Sequence, residues 1–117
     1  HSCGNCAANY ETMLLHKNFR GLNFEATDNP YPEAVEKLGR KSLIAPHPGL
    51  QFKIKFGNAL GYVNYMLKNT PKGVPYVISL WSEMFNPITG KSEKDTSIDE
   101  AIGVLNSLSM DPSQIIY

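Results

Sequence analysis

The chain has 117 residues, 42% of them hydrophobic and 19% charged, which is enough for one core and too little for two ordinary domains. Eleven Lys and Arg balance eleven Asp and Glu, and no basic run stands out, so neither nucleic acid nor a membrane surface is an expected partner. No apolar stretch approaches the roughly 18 to 20 residues that cross a bilayer, and no charged-then-apolar leader opens the chain, though one removed earlier would leave no trace. A single domain over residues 1–117 is therefore expected.

In chain order, Cys6, Tyr10, Met13 and Leu14 recur at three and four residues and predict a helix from Cys6 to Phe19, with Ser2 or Asn5 as N-cap and Gly21 as the stop. Leu22, Phe24 and Ala26 alternate with polar residues and predict a half-buried strand ended by the Asp28-Asn29-Pro30 turn. Glu33 to Leu38 reads as a short helix closed by Gly39, and Ala45-Pro46-His47-Pro48-Gly49 as a loop. Phe52, Ile54 and Phe56 alternate with Lys53 and Lys55 and predict a strand with its lysines in water, followed by a helix from Asn58 to Leu67. Val74 to Trp81 is the most apolar strand candidate and is expected to be central. After a turn at Asn86 to Gly90, Ile98 to Leu108 predicts a helix with Asp99 and Glu100 in its first turn. Ile115-Ile116-Tyr117 reads as a last edge strand. The mixture without strict βαβ repetition points to an α+β fold.

Both cysteines lie at the start, in His1-Ser2-Cys3-Gly4-Asn5-Cys6. A thiol in the first turn of a helix faces free N–H groups and the positive end of the dipole, which favour the nucleophilic thiolate. Four uses fit the pair. A zinc site lacks a second pair of ligands, since His1, His16 and His47 are isolated, and no cofactor is expected. A redox dithiol fits the spacing, and Gly73-Val74-Pro75-Tyr76-Val77-Ile78 resembles the proline-led strand of thioredoxins; that fold, however, places its cysteines after a central strand. A nucleophile paired with a distant histidine is the third use, and two small buried residues without chemistry the fourth.

Cys3-Gly4-Asn5-Cys6-Ala7 is one conservative step from the Cys-Gly-Ser/Ala-Cys motif of papain-like enzymes. With Ala8-Asn9-Tyr10-Glu11 and Arg20-Gly21-Leu22-Asn23-Phe24-Glu25-Ala26 it resembles the opening of the papain-fold toxin and glutamine deamidase domains of bacterial polymorphic toxins. That resemblance implies a papain-like fold, with an N-terminal helix carrying the cysteine packed on a small antiparallel sheet. It implies a cysteine-dependent hydrolase that deamidates glutamine or cleaves an amide in a target protein, and a cognate immunity protein as a further partner. It also implies a secreted or delivered effector. In the toxins the first cysteine, here Cys3, is the expected nucleophile; in papain it is the second, here Cys6. Phe85-Asn86-Pro87 falls where the family carries its orienting Asp-Pro-Gln block, which gives Asn86 that role. The family's histidine has no counterpart between Trp81 and Asn86. Three explanations stay open: residues missing from that stretch, an inactive relative that only binds a partner, or a substitute histidine. His47 is the substitute to test. His1 reads as a frayed terminus, His16 as an exposed helix residue and Trp81 as packing.

Overall fold

The computed structural model describes residues 1–109, so the expected strand at Ile115 to Tyr117 lies outside the described residues. The fold is α+β, with five α-helices and two small sheets among those residues. Strand β1 (Gly21–Glu25) pairs in parallel with β2 (Leu43–His47), with Leu22 against Ile44, Phe24 against Pro46 and Glu25 against His47. The predicted alternation in β1 holds, because Leu22, Phe24 and Ala26 are buried while Asn23 and Glu25 are only half-buried.

Single bridging residues extend this sheet on both sides, Ser2 beside Phe24 and Tyr76 beside Ile44, both parallel. Parallel neighbours need crossovers. Helix α1 (Tyr10–Leu15) joins Ser2 to β1 and α2 (Tyr31–Leu38) joins β1 to β2. Helices α3 (Phe52–Phe56) and α4 (Ala59–Asn69) return the chain to Tyr76. Instead of one small antiparallel sheet, the cysteine end of the fold therefore rests on parallel pairing around a βαβ unit. The antiparallel pairing belongs to a separate hairpin, β3 (Glu83–Asn86) with β4 (Lys91–Lys94), followed by α5 (Ile98–Ser109).

Four local expectations change. The first helix begins as a 3-10 turn at Ala7–Asn9 and ends at Leu15, where His16 turns extended (ψ 116°); Cys6 and Tyr10 are buried as the periodicity requires. Residues 45–47 of the expected loop belong to β2, because Pro46 falls where its missing N–H faces away from β1. Residues 52–56 are helical: Phe52 and Phe56 meet at i, i+4 with centroids 5.4 Å apart and both pack on Tyr62, while Ile54 stays 61% exposed. Gly57, at φ +78°, closes that helix. Finally, the backbone of Val74 to Trp81 pairs with β2 only at Ile44, whose N–H donates to Pro75 O and whose carbonyl accepts from Val77 N. The next rung would need an N–H on residue 46, and proline has none.

The main core joins Cys6, Tyr10, Phe24, Tyr31, Leu38, Ile44, Phe52 and Tyr62 beneath the parallel sheet. A second cluster, Ala59, Val63 and Ala101, locks α4 to α5. No helix of the described residues is long and apolar enough to cross a membrane.

Candidate functional site

Parallel sheets are usually covered on both faces, and the outer face of this one is only partly covered. With Leu22, Phe24, Ile44 and Pro46 turned to the core, the alternate residues Asn23, Glu25, Ala45 and His47 occupy the other face. Ser2 bridges Phe24, so its neighbours His1 and Cys3 fall on that outer face too. Leu43, Val77 and Trp81 remain 40%, 47% and 46% exposed around it.

Three side chains form a connected line there. His1 Nε2 lies 3.1 Å from Cys3 Sγ, and His1 Nδ1 is hydrogen-bonded to Asn23 Oδ1. Asn23 Nδ2 donates to the Ala45 carbonyl at 2.6 Å. A carbonyl only accepts, so the NH₂ of Asn23 must face Ala45 and its oxygen must face His1. Nδ1 of His1 then carries the proton, and the lone pair of Nε2 is left for the Cys3 thiol. The exposed Cys3 is a free thiol with a base already aimed at it.

His47, the sequence candidate, joins this cluster by stacking. Its ring lies between His1 (centroids 5.1 Å, 29° apart) and Trp81 (6.1 Å, 18°). His47 Nδ1 donates to the Pro48 carbonyl at 2.9 Å, and its Nε2 is buried with no hydrogen-bond partner. His47 therefore holds the flank of the His1 ring, while His1 makes the contact with sulfur.

Cys6 stands in a different environment, 3% exposed. Its N–H donates to Asn29 Oδ1 at 2.8 Å and its thiol to the same oxygen at 3.4 Å. Beside it the buried Tyr10 hydroxyl makes no hydrogen bond, and burial first, then the neighbouring Cys6, raise its pKa. A thiol under the sheet whose proton is given to a buried carbonyl is poorly placed to meet an outside substrate.

Neither cysteine occupies the first turn of α1. Cys6 caps the 3-10 turn with φ −118° and Cys3 precedes it by a bend through Gly4 at φ +71°, so the group beside Cys3 is an imidazole instead of a helix N-terminus. Asn86 sits in the hairpin, where Oδ1 accepts from Ile88 N (2.9 Å) and Nδ2 donates to Glu93 (3.0 Å). Its amide is thereby engaged in turn chemistry, and none of its hydrogen bonds goes to a cysteine or a histidine. His16 accepts from Asn18 N at the end of α1. A concavity of about 520 Å³ lined by Asn9, Thr12, Met13, His16, Asn18 and Phe19 shares no residue with the Cys3 cluster. Among the described residues no group of three or more His, Cys, Asp or Glu is arranged to hold a metal ion.

No family model, curated protein or solved structure matches this chain. The site is thus read from its own geometry. The sequence marks His1 only as a frayed terminus, whereas it is held between Asn23 and Cys3, and it does not single out Asn23 or Asn29. Asn23 carried one signal, its polar position between Leu22 and Phe24, which fixes it to the outer face. His1 carried none, because its partner Asn23 is 22 residues away.

Proposed function

We propose that this domain is a cysteine-dependent amidohydrolase in which Cys3 is the nucleophile, His1 the general acid and base, and Asn23 the residue that orients His1. The observation that carries this reading is the contact of Nε2 with Cys3 Sγ under a tautomer dictated by Asn23 and Ala45. Nε2 takes the thiol proton as sulfur bonds to an amide carbonyl carbon, and the carbonyl electron pair moves to oxygen. Collapse breaks the C–N bond, and the proton on His1 leaves with ammonia or an amine. Water, deprotonated by His1, then releases the acid from the thioester and restores the thiol.

The substrate we favour is a glutamine carboxamide of a target protein, because the chain opening resembles papain-fold toxins and deamidases. An open, partly apolar sheet face suits a protein substrate better than a small solute, and an immunity protein covering Cys3 is the partner that this role implies.

The test is acylation of the chain by p-nitrophenyl acetate, with the modified residue read by mass spectrometry. Cys3→Ala abolishes the adduct, and His1→Ala lowers the acylation rate by about 100-fold, the low end of what a positioned base contributes. Cys6→Ala leaves acylation in place, and wild-type protein shows no disulfide reductase activity, the reaction for which a dithiol would need both sulfurs. An unchanged rate in His1→Ala would sink the assignment.

A further inference from the structure

We infer that the backbone N–H of Asn5 is the oxyanion donor of this site and that Asn29 is the positioning residue that aims it, an inference that rests on Cys3 being the nucleophile. Asn29 is completely buried, and both ends of its amide are used. Nδ2 donates to Gly4 O at 2.9 Å and to Glu25 O at 3.1 Å, while Oδ1 accepts from Cys6 N and Cys6 Sγ. One side chain therefore ties down the turn from Gly4 to Cys6 at two points.

The tie at Gly4 sets the direction of the next N–H. In a trans peptide the N–H points opposite to the carbonyl of the same plane. With Gly4 O drawn inward to Asn29, the N–H of Asn5 is turned away from that buried side chain, in a turn whose Cys3 and Asn5 are both exposed. No hydrogen bond among the described residues uses the N–H of Cys3, Gly4 or Asn5. The Asn5 side chain is occupied separately, accepting from Ala7 N at 3.0 Å. Gly4 supplies the rest: its φ of +71° bends the chain, and a Cβ built there meets nothing within 4 Å. Successive N–H groups around a left-handed residue form a concavity that holds negative oxygen. When Cys3 attacks, the carbonyl π pair moves onto oxygen, the Asn5 N–H donates to that oxyanion, and collapse of the adduct returns the pair as the C–N bond breaks.

Two rates measured on Cys3 separate this role from structural support. Alkylation by iodoacetamide needs the thiolate and forms no oxyanion; acylation by p-nitrophenyl acetate needs both. Ligation of a synthetic 1–5 segment at Cys6 allows the Gly4–Asn5 amide to be replaced by an ester, which deletes only the N–H. The ester chain is expected to keep its alkylation rate and to lose about 100-fold in acylation, the scale of one oxyanion donor. Asn29→Asp, which cannot donate to Gly4 O, should lower acylation more than alkylation in the same direction. An ester chain whose two rates stay at wild type, or fall by the same factor, overturns the assignment. Wild-type protein whose Cys3 alkylates without dependence on His1 and is never acylated overturns the nucleophile reading, and this inference with it.

Discussion

Asn29 and Asp95 are buried polar anchors in two parts of the fold, and they do opposite kinds of holding. Asn29 gathers a carbonyl and an N–H from one turn, Gly4 O and Cys6 N, so it needs a donor and an acceptor on one side chain. Asp95 gathers donors only. Its Oδ2 accepts from Ala59 N at 2.7 Å and its Oδ1 from Ser97 N (2.9 Å) and Ser97 Oγ (2.7 Å), while Ser97 Oγ in turn accepts from Leu60 N. It thereby ties the starts of α4 and α5 together, where unpaired helix N–H groups favour a negative charge. A neutral amide suits the turn that presents the thiol, and a carboxylate suits the joint between two helices. The turn that carries Cys3 is thus anchored by an uncharged side chain, and the half of the molecule with α4 and α5 by a carboxylate.

Breaking each anchor tests that contrast. Asn29→Ala strands Gly4 O and the buried Cys6 N, and we expect it to cost about 3 kcal/mol in urea unfolding and to alter Cys3 alkylation as well. Asp95→Ala strands Ala59 N and the Ser97 donors and should cost about 2 kcal/mol, with the alkylation rate of Cys3 unchanged. A shift in that rate would show that the two halves are not independent.

Acid sharpens the difference further. Burial works against the charge on Asp95, but the hydrogen bonds from Ser97 and Ala59 outweigh it and hold its carboxyl below the usual range. A depressed folded pKa contributes stability above the unfolded value, near 3.9, and loses it as pH falls through the folded value. Wild-type protein should therefore lose more stability than Asp95→Asn below about pH 4, the two converging in strong acid, as read by unfolding midpoints against pH. The smallest effects belong to the expected site residues that the cluster does not use chemically. Asn86→Ala should loosen the hairpin by about 0.5 to 1 kcal/mol and leave Cys3 acylation intact. His47→Phe, which keeps a ring between His1 and Trp81, should acylate at close to the wild-type rate.

What the sequence revealed follows the range of the interactions involved. The helices at 31–38, 59–69 and 98–109 and the strand at 21–25 announce themselves because period and local caps act within a few residues, as Asn58 does in accepting from Gly61 N. The segment 52–56 misled because five residues with lysines at alternate positions satisfy period two, and only the packing of Phe52 and Phe56 on Tyr62 selects the helix. Strand β4, Lys-Ser-Glu-Lys, has no apolar side chain to mark it. Cys3 was legible as a candidate nucleophile and His47 as a candidate histidine, and the fold brings the two into one cluster through His1. The partners that complete the cluster, Asn23 and Asn29, are ordinary strand and turn residues until the parallel register brings them to positions 1 through 6.

Pro46 lends the outer face a control point on the inner one. Its side chain is buried and its carbonyl accepts from the Tyr62 hydroxyl at 3.3 Å, so nothing of it lies among the reactive groups. Yet the hydrogen that proline lacks is what stops the ladder after Ile44 and lets residues 78–81 swing free of β2, carrying Trp81 over His47. An alanine at this position would offer the missing rung, draw Ile78 into register and lift the indole from the imidazole. The aromatic wall beside His1 is in this way set from the opposite face of the sheet.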